Sequence, residues 1–167
     1  MKRIAIITIS LVLCLLLSAC SSLIEPIDYS QNGIQITLDT SYNRSTISGY
    51  TACYRSSVAT VYMLREAFGD TVKEDMSLAD YAKAVQSTND LHEEISEHNG
   101  YLSFTYETIV DEIHLTTFVA LYKMSDCFWT VQFMCDGEYF ESLKSSFEEY
   151  ADSVKDVKTN AAITEQG

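Results

Sequence analysis

The sequence predicts an α+β fold, an α/β/α sandwich in which a single antiparallel β-sheet is flanked by helices, in the order β-β-β-α-(β)-β-β-β-α. Three observations lead there. In Glu112–Cys135, EIHLTTFVALYKMSDCFWTVQFMC, two runs of β-branched and aromatic residues, Leu115–Tyr122 and Cys127–Cys135, flank a polar break at Lys123–Asp126. That is the pattern of strand, tight turn, strand. Both runs are apolar on both faces: Leu115, Val119 and Leu121 alternate with Phe118, Ala120 and Tyr122, and Trp129, Val131 and Phe133 with Phe128 and Met134. A strand with two apolar faces needs a layer on each side. Two amphipathic helical patterns elsewhere in the chain can supply those layers.

Taken in order, residues 1–19 read as a removable leader, 20–32 as a tether, 33–157 as one domain and 158–167 as a flexible tail. Gly33–Leu38 (GIQITL) alternates Ile34, Ile36 and Leu38 with polar residues, the signature of a half-buried strand. Asp39–Tyr50 reads as a polar loop. Thr51–Arg55 and Val58–Glu66 read as two strands broken at Ser56-Ser57, and Gly69–Met76 as an acidic loop. Ser77-Leu78-Ala79-Asp80 has the form of a capping box and opens a helix to about Asp90, with Leu78, Tyr81, Ala82 and Val85 on one stripe. Leu91–Asn99 is polar, with room for a short strand. Tyr101–Thr108 is a strand with Leu102, Phe104 and Tyr106 on one face, followed by a turn at Val110–Ile113 and the central hairpin. Asp136-Gly137-Glu138 opens the last helix, its acids at the favourable end. Phe140, Leu143, Phe147, Tyr150, Ala151 and Val154 form its apolar stripe, and Lys155 and Lys158 fall at its C-terminal end.

Of the 167 residues, 47% are hydrophobic and one is proline, so the chain can bury a core without a metal or disulfide. The leader has a basic start at Lys2 and Arg3 and an apolar run at Ile4–Leu17, too short to cross a hydrocarbon layer of about 30 Å comfortably. Leu17-Ser18-Ala19-Cys20 follows and resembles the lipobox of bacterial lipoproteins, in which the cysteine thiol receives a diacylglyceryl group and becomes the first residue. Cys20 is therefore the expected lipidation site. Lys2 and Arg3 are the only charged residues before Cys20, so cleavage there takes the formal charge from −13 to −15. A domain of that charge is repelled by nucleic acid and by anionic lipid.

With Cys14 in the leader and Cys20 acylated, Cys53, Cys127 and Cys135 remain. Cys127 and Cys135 lie about 27 Å apart along one extended run and cannot bond each other. Their apolar settings favour three buried thiols; the alternative is a bridge from Cys53 to one of the other two.

The spacing of GIQITL (Gly33–Leu38), LREAF (Leu64–Phe68), SLADYA (Ser77–Ala82), Asn89, FWTVQFMC (Phe128–Cys135) and FEEYADSV (Phe147–Val154) resembles the small PsbP-like lipoproteins of Gram-positive bacteria. The resemblance implies an antiparallel sheet sandwiched by helices, the fold shared with the photosystem II extrinsic protein and a Ran-binding nuclear import factor. It also implies accessory or binding roles without a common catalytic motif.

Little in the sequence points to catalytic or metal chemistry. His92-Glu93-Glu94-Ile95-Ser96-Glu97-His98 is not a zinc-binding HExxH, because Ser96 stands where the second histidine belongs. Neither a strand nor a helix brings His92 and His98 onto one ion, and the segment reads as a solvated connector. Glu107, Asp111, Glu112 and His114 surround a turn whose oxygens suit Ca²⁺ only loosely, with no glycine-punctuated loop. No Ser sits in a nucleophile elbow, and no glycine-rich phosphate loop is present. The aromatics Tyr54, Tyr62, Phe104, Tyr106, Phe118, Phe128 and Trp129 recur at strand periodicity and read as core. The expectation is a lipid-anchored extracytoplasmic binding or accessory protein, not an enzyme, with no cofactor and no metal, attached to the membrane through Cys20 and engaging a protein or cell-envelope partner. The alternative is a carrier for a small apolar or cationic ligand held between helix and sheet.

Overall fold

The computed structural model describes residues 25–69 and 72–157. Its elements are β1 (Pro26–Gln31), β2 (Ile34–Asp39), β3 (Asn43–Ser45), β4 (Ala52–Arg55), β5 (Ala59–Ala67), α1 (Leu78–Thr88), β6 (Ser96–Glu97), β7 (Leu102–Val110), β8 (Ile113–Lys123), β9 (Cys127–Asp136), α2 (Gly137–Asp152) and β10 (Lys155–Asp156). Among the described residues no helix is long and apolar enough to cross a membrane.

The expected single antiparallel sheet flanked by helices is overturned. The strands form two antiparallel sheets, one of seven strands in the order β3-β4-β5-β9-β8-β7-β6 and one of three in the order β1-β2-β10, and with only two helices among the described residues the molecule is mainly β. β2, the GIQITL strand, lies outside the large sheet. It pairs along its length with β1, inside the segment read as tether, and at its start with β10. The physical reason is legible in β2 itself. Ile34, Ile36 and Leu38 are buried while Gln35, Thr37 and Asp39 are half-exposed, and a strand with one polar face cannot sit inside a sheet covered on both sides. It lies over the large sheet instead, apolar face inward.

Lys155 also departs from expectation. α2 ends at Asp152, and the Ser153 amide donates to the Glu149 and Tyr150 carbonyls. The Ser153 hydroxyl donates to Tyr150 O at 2.6 Å and receives a bond from the Thr37 amide at 2.9 Å. This turns the chain onto β2, so Lys155 becomes a strand residue rather than a helix-end cation. β3 likewise occupies part of the segment read as the polar loop.

The core is built on β8 and β9. Phe118, Ala120, Tyr122, Trp129, Val131 and Phe133 face a large cluster completed by β2 and by Phe140, Phe147 and Ala151 of α2. Val119, Leu121 and Phe128 face a smaller one completed by Phe104 and by Tyr81 and Ala82 of α1. Trp129 and Phe128 occupy adjacent positions on opposite faces, and both are fully buried. Each such side chain contributes about 1.5–3 kcal/mol through burial. Both helices are capped from the sequence. Ser77 Oγ receives the Asp80 amide at 3.0 Å, and Asp136 Oδ1 receives the Glu138 amide at 3.0 Å. Tyr81 anchors α1 by stacking on Phe128 at 4.2 Å, with its hydroxyl against Glu66 and Thr130.

Candidate functional site

Cys20 and the whole leader lie outside the described residues. The three remaining thiols, Cys53, Cys127 and Cys135, are free and buried. Burial pushes all three thiols up, Cys127 to about 11. The thiolate is the reactive form, so these side chains are packing groups rather than nucleophiles.

The two histidines of the acidic connector are far from equivalent. His92 is solvent-exposed beside an equally exposed Asp90 at 3.8 Å. His98 lies flat on Tyr101, with ring centroids 4.4 Å apart, and its Nε2 is 2.8 Å from Ser103 Oγ. It is a structural residue of the β6–β7 turn, which residue spacing alone did not reveal.

A cleft of about 770 Å³ runs along the seam between the two sheets and is lined by Trp129 and Cys127. Arg65 and Asp126 form an ion pair across it at 2.6 Å. The Ser125 hydroxyl donates to Asp156 at 3.0 Å, and the Arg65 amide donates to the Thr51 hydroxyl at 3.0 Å. Of these contacts Ser125–Asp156 is the one that joins the two sheets, and Arg65 already has its anion in Asp126 of its own sheet. Chemically, the cleft ties the sheets together. Arg65, Asp126 and Asp156 come from β5, the β8–β9 turn and β10, and no sequence spacing brings them together.

The acidic turn has a different character. Residues 107–114 form the distal half of the β7–β8 hairpin, exposed throughout. Ile109, Val110 and Ile113 are 63%, 50% and 51% exposed, while large apolar side chains on the body are mostly buried. Beyond its base, where His114 meets the first residue of α2, the arm is uncovered. Its apex, Asp111-Glu112, has φ of 50° and 68°, the left-handed conformation of a two-residue hairpin turn in which Asn-Gly is preferred. Two non-glycine residues there cost of order 1–3 kcal/mol each, so the apex keeps its charges against a conformational penalty. Glu107 and Glu112 share a surface recess with His114, Asp136 and Glu138. The acids were evident in the sequence. The exposed apolar trio was missed, although Ile109-Val110 and Ile113 on either side of a two-residue turn were a usable signal.

No family model and no curated protein matches the chain. Solved structures do share its fold. Cyanobacterial PsbP (CyanoP) from Synechocystis matches with a TM-score of 0.55 at 14% identity, over 83% of this chain and 96% of that one. The Ran-binding protein Mog1p of Saccharomyces cerevisiae matches with a TM-score of 0.55 at 9% identity, over 82% and 98% of the two chains. A protein from Bacteroides thetaiotaomicron reaches 0.58 at 8% identity, over 77% of this chain and 46% of that one. The chain has a PsbP-like fold, and identities this low carry the fold alone.

Proposed function

We propose that the chain is an accessory or binding protein without catalytic activity, held at the extracytoplasmic face of a bacterial membrane by a lipid on Cys20, where it engages a protein or cell-envelope partner. The observation that carries the binding role is the arm: three exposed apolar side chains on an acidic, conformationally costly apex, projecting from a closed body. Exposed apolar surface of this kind marks interaction sites. The fold is consistent with such a role, since one structural neighbour is named for binding Ran. The likeness to small Gram-positive lipoproteins and the Leu17-Ser18-Ala19-Cys20 motif support the anchor.

A carrier is the weaker reading. The space between α2 and the large sheet is filled by Phe133 and Phe147, both fully buried, which leaves only a recess of about 380 Å³ between α2 and β2 beside Leu38 and Tyr150. The anchor would also hold the domain close. β1 begins at Pro26, so the covalent reach from Cys20 is at most about 20 Å.

Two measurements test the proposal. Cells fed an acyl-chain analogue should label the wild-type protein and leave Cys20→Ser unlabelled; label on the serine variant refutes the anchor. A photocrosslinker at Ile109, activated on intact cells, should give a discrete adduct that a crosslinker at Ser142 on α2 does not.

A further inference from the structure

β7 is an edge strand with almost nothing on its outer side. The seven-stranded sheet ends in β6, which pairs only with Leu102 and Ser103 of β7. The two-residue turn at Asp111-Glu112 is closed by Val110 and Ile113. Alternation along the antiparallel ladder then directs the backbone groups of Val110, Thr108 and Tyr106 toward β8, and those of Ile109, Glu107 and Thr105 outward. The same parity explains β6, which takes up Ser103, the next outward position. Among the described residues no backbone bond outside the strand ladders engages Thr105, Glu107 or Ile109.

Natural sheets blunt such edges with short strands, bulges, prolines or lysines. The other edge of this sheet follows the rule: β3 is three residues long and carries Arg44. β7 does not. Its register with β8 runs unbroken from Leu102 to Val110, and it contains neither proline nor lysine. A nine-residue edge strand, unpaired beyond Ser103 and ending in exposed Ile109 and Val110, has the form that accepts an added strand.

Charge selects the occupant. Between Lys83 and Lys123 the sequence holds no lysine or arginine and seven acidic residues, of which Glu107, Asp111 and Glu112 lie on β7 or its turn. Glu107 shares the recess beside α2 with Asp136 and Glu138 and lies on the same face as Ile109, whereas Val110 and its partner Ile113 lie on the opposite face of the ribbon. A second copy of this chain, itself at −13, would bring like charges together along the edge. The geometry points to β7 as an acceptor strand for an extended segment of a partner protein, with lysines or arginines on the α2 face alternating with apolar residues on the other. This rests on the binding-protein reading and specifies the partner's chemistry.

The test uses the full chain and a capped heptapeptide of alternating lysine and valine. Amide hydrogen exchange at Thr105, Glu107 and Ile109 should slow about tenfold at saturating peptide. The same peptide N-methylated at alternate amides keeps its charge but cannot pair, and should give no protection; nor should a glutamate–valine peptide. Ile109→Pro removes an outward N–H without touching the β7–β8 ladder, and should abolish the protection at Thr105 and Glu107. If that variant misfolds, the methylated peptide still decides. Equal protection by the methylated peptide reduces the effect to charge attraction and overturns the inference. Equal protection by the glutamate peptide overturns the charge assignment, and self-association through β7 overturns it in favour of a second copy. If no peptide protects these amides while the Ile109 crosslink persists, strand addition fails and the binding-protein reading survives. Loss of both removes both.

Discussion

β8 belongs to two hairpins, and their turns have opposite fates. The β8–β9 turn is fastened to the body on every side. Lys123 Nζ donates to the Glu74 and Met76 carbonyls at 2.7 and 2.9 Å and lies over the Phe68 and Phe128 rings. Ser125 bonds Asp156, and Asp126 pairs with Arg65. The β7–β8 turn, at the other end of the same strand, is exposed and strained. The signal of strand, two- or three-residue turn and strand is alike in both. The difference lies in how far the covering layers extend, and it teaches that exposure of an apolar hairpin end is a property of the layers, not of the hairpin.

The largest expected effect belongs to the fastened end. Trp129→Ala should cost about 3–5 kcal/mol, through lost burial and the cavity left behind, and Phe147→Ala about the same. Denaturant midpoints check this, and a Trp129→Ala protein as stable as the parent would mean that the hairpin has an open face.

Next in size is the contrast between the histidines. His98→Ala removes the stack on Tyr101 and leaves the buried Ser103 hydroxyl without its partner, an expected loss of about 1–2 kcal/mol. His92→Ala should stay within about 0.5 kcal/mol of wild type. Equal costs would show that the β6–β7 turn is not held by His98.

A pH-dependent difference should follow from Tyr150, whose hydroxyl donates to Asp39 at 2.6 Å. Burial pushes the Asp39 carboxyl up, but bonds from Ser41 and Tyr150 outweigh it and hold the group below its ordinary 3.8. A carboxyl lowered in the folded state adds stability that is fully present above the unfolded value and lost as pH falls through the folded one. Tyr150→Phe should therefore cost about 1 kcal/mol at pH 7, with the deficit shrinking below about pH 4. A deficit unchanged at pH 2.5 would assign the loss to packing.

The smallest effect belongs to the arm. Ile109→Ser and Ile113→Ser should each change stability by less than about 0.5 kcal/mol, while reducing any crosslink from this surface. A loss above 1 kcal/mol would show that the arm folds back on the body, and the division between its two ends would disappear.

By itself the sequence determined whatever depends on neighbours along the chain. The alternation of Phe128 with Trp129 announced a strand buried on both faces, Ser77 and Asp136 marked helix starts, and the apolar settings of Cys53, Cys127 and Cys135 marked them as core. Only the tertiary structure decided that Ile34, Ile36 and Leu38 belong to a second sheet, that Pro26–Gln31 is a strand, that Arg65 meets Asp126, and that Ile109 is left in solvent. Periodicity reports how many faces of a segment are apolar, because side-chain direction repeats locally. Which edges pair, and where a covering layer stops, depend on contacts between residues far apart in sequence, on which local pattern carries no information.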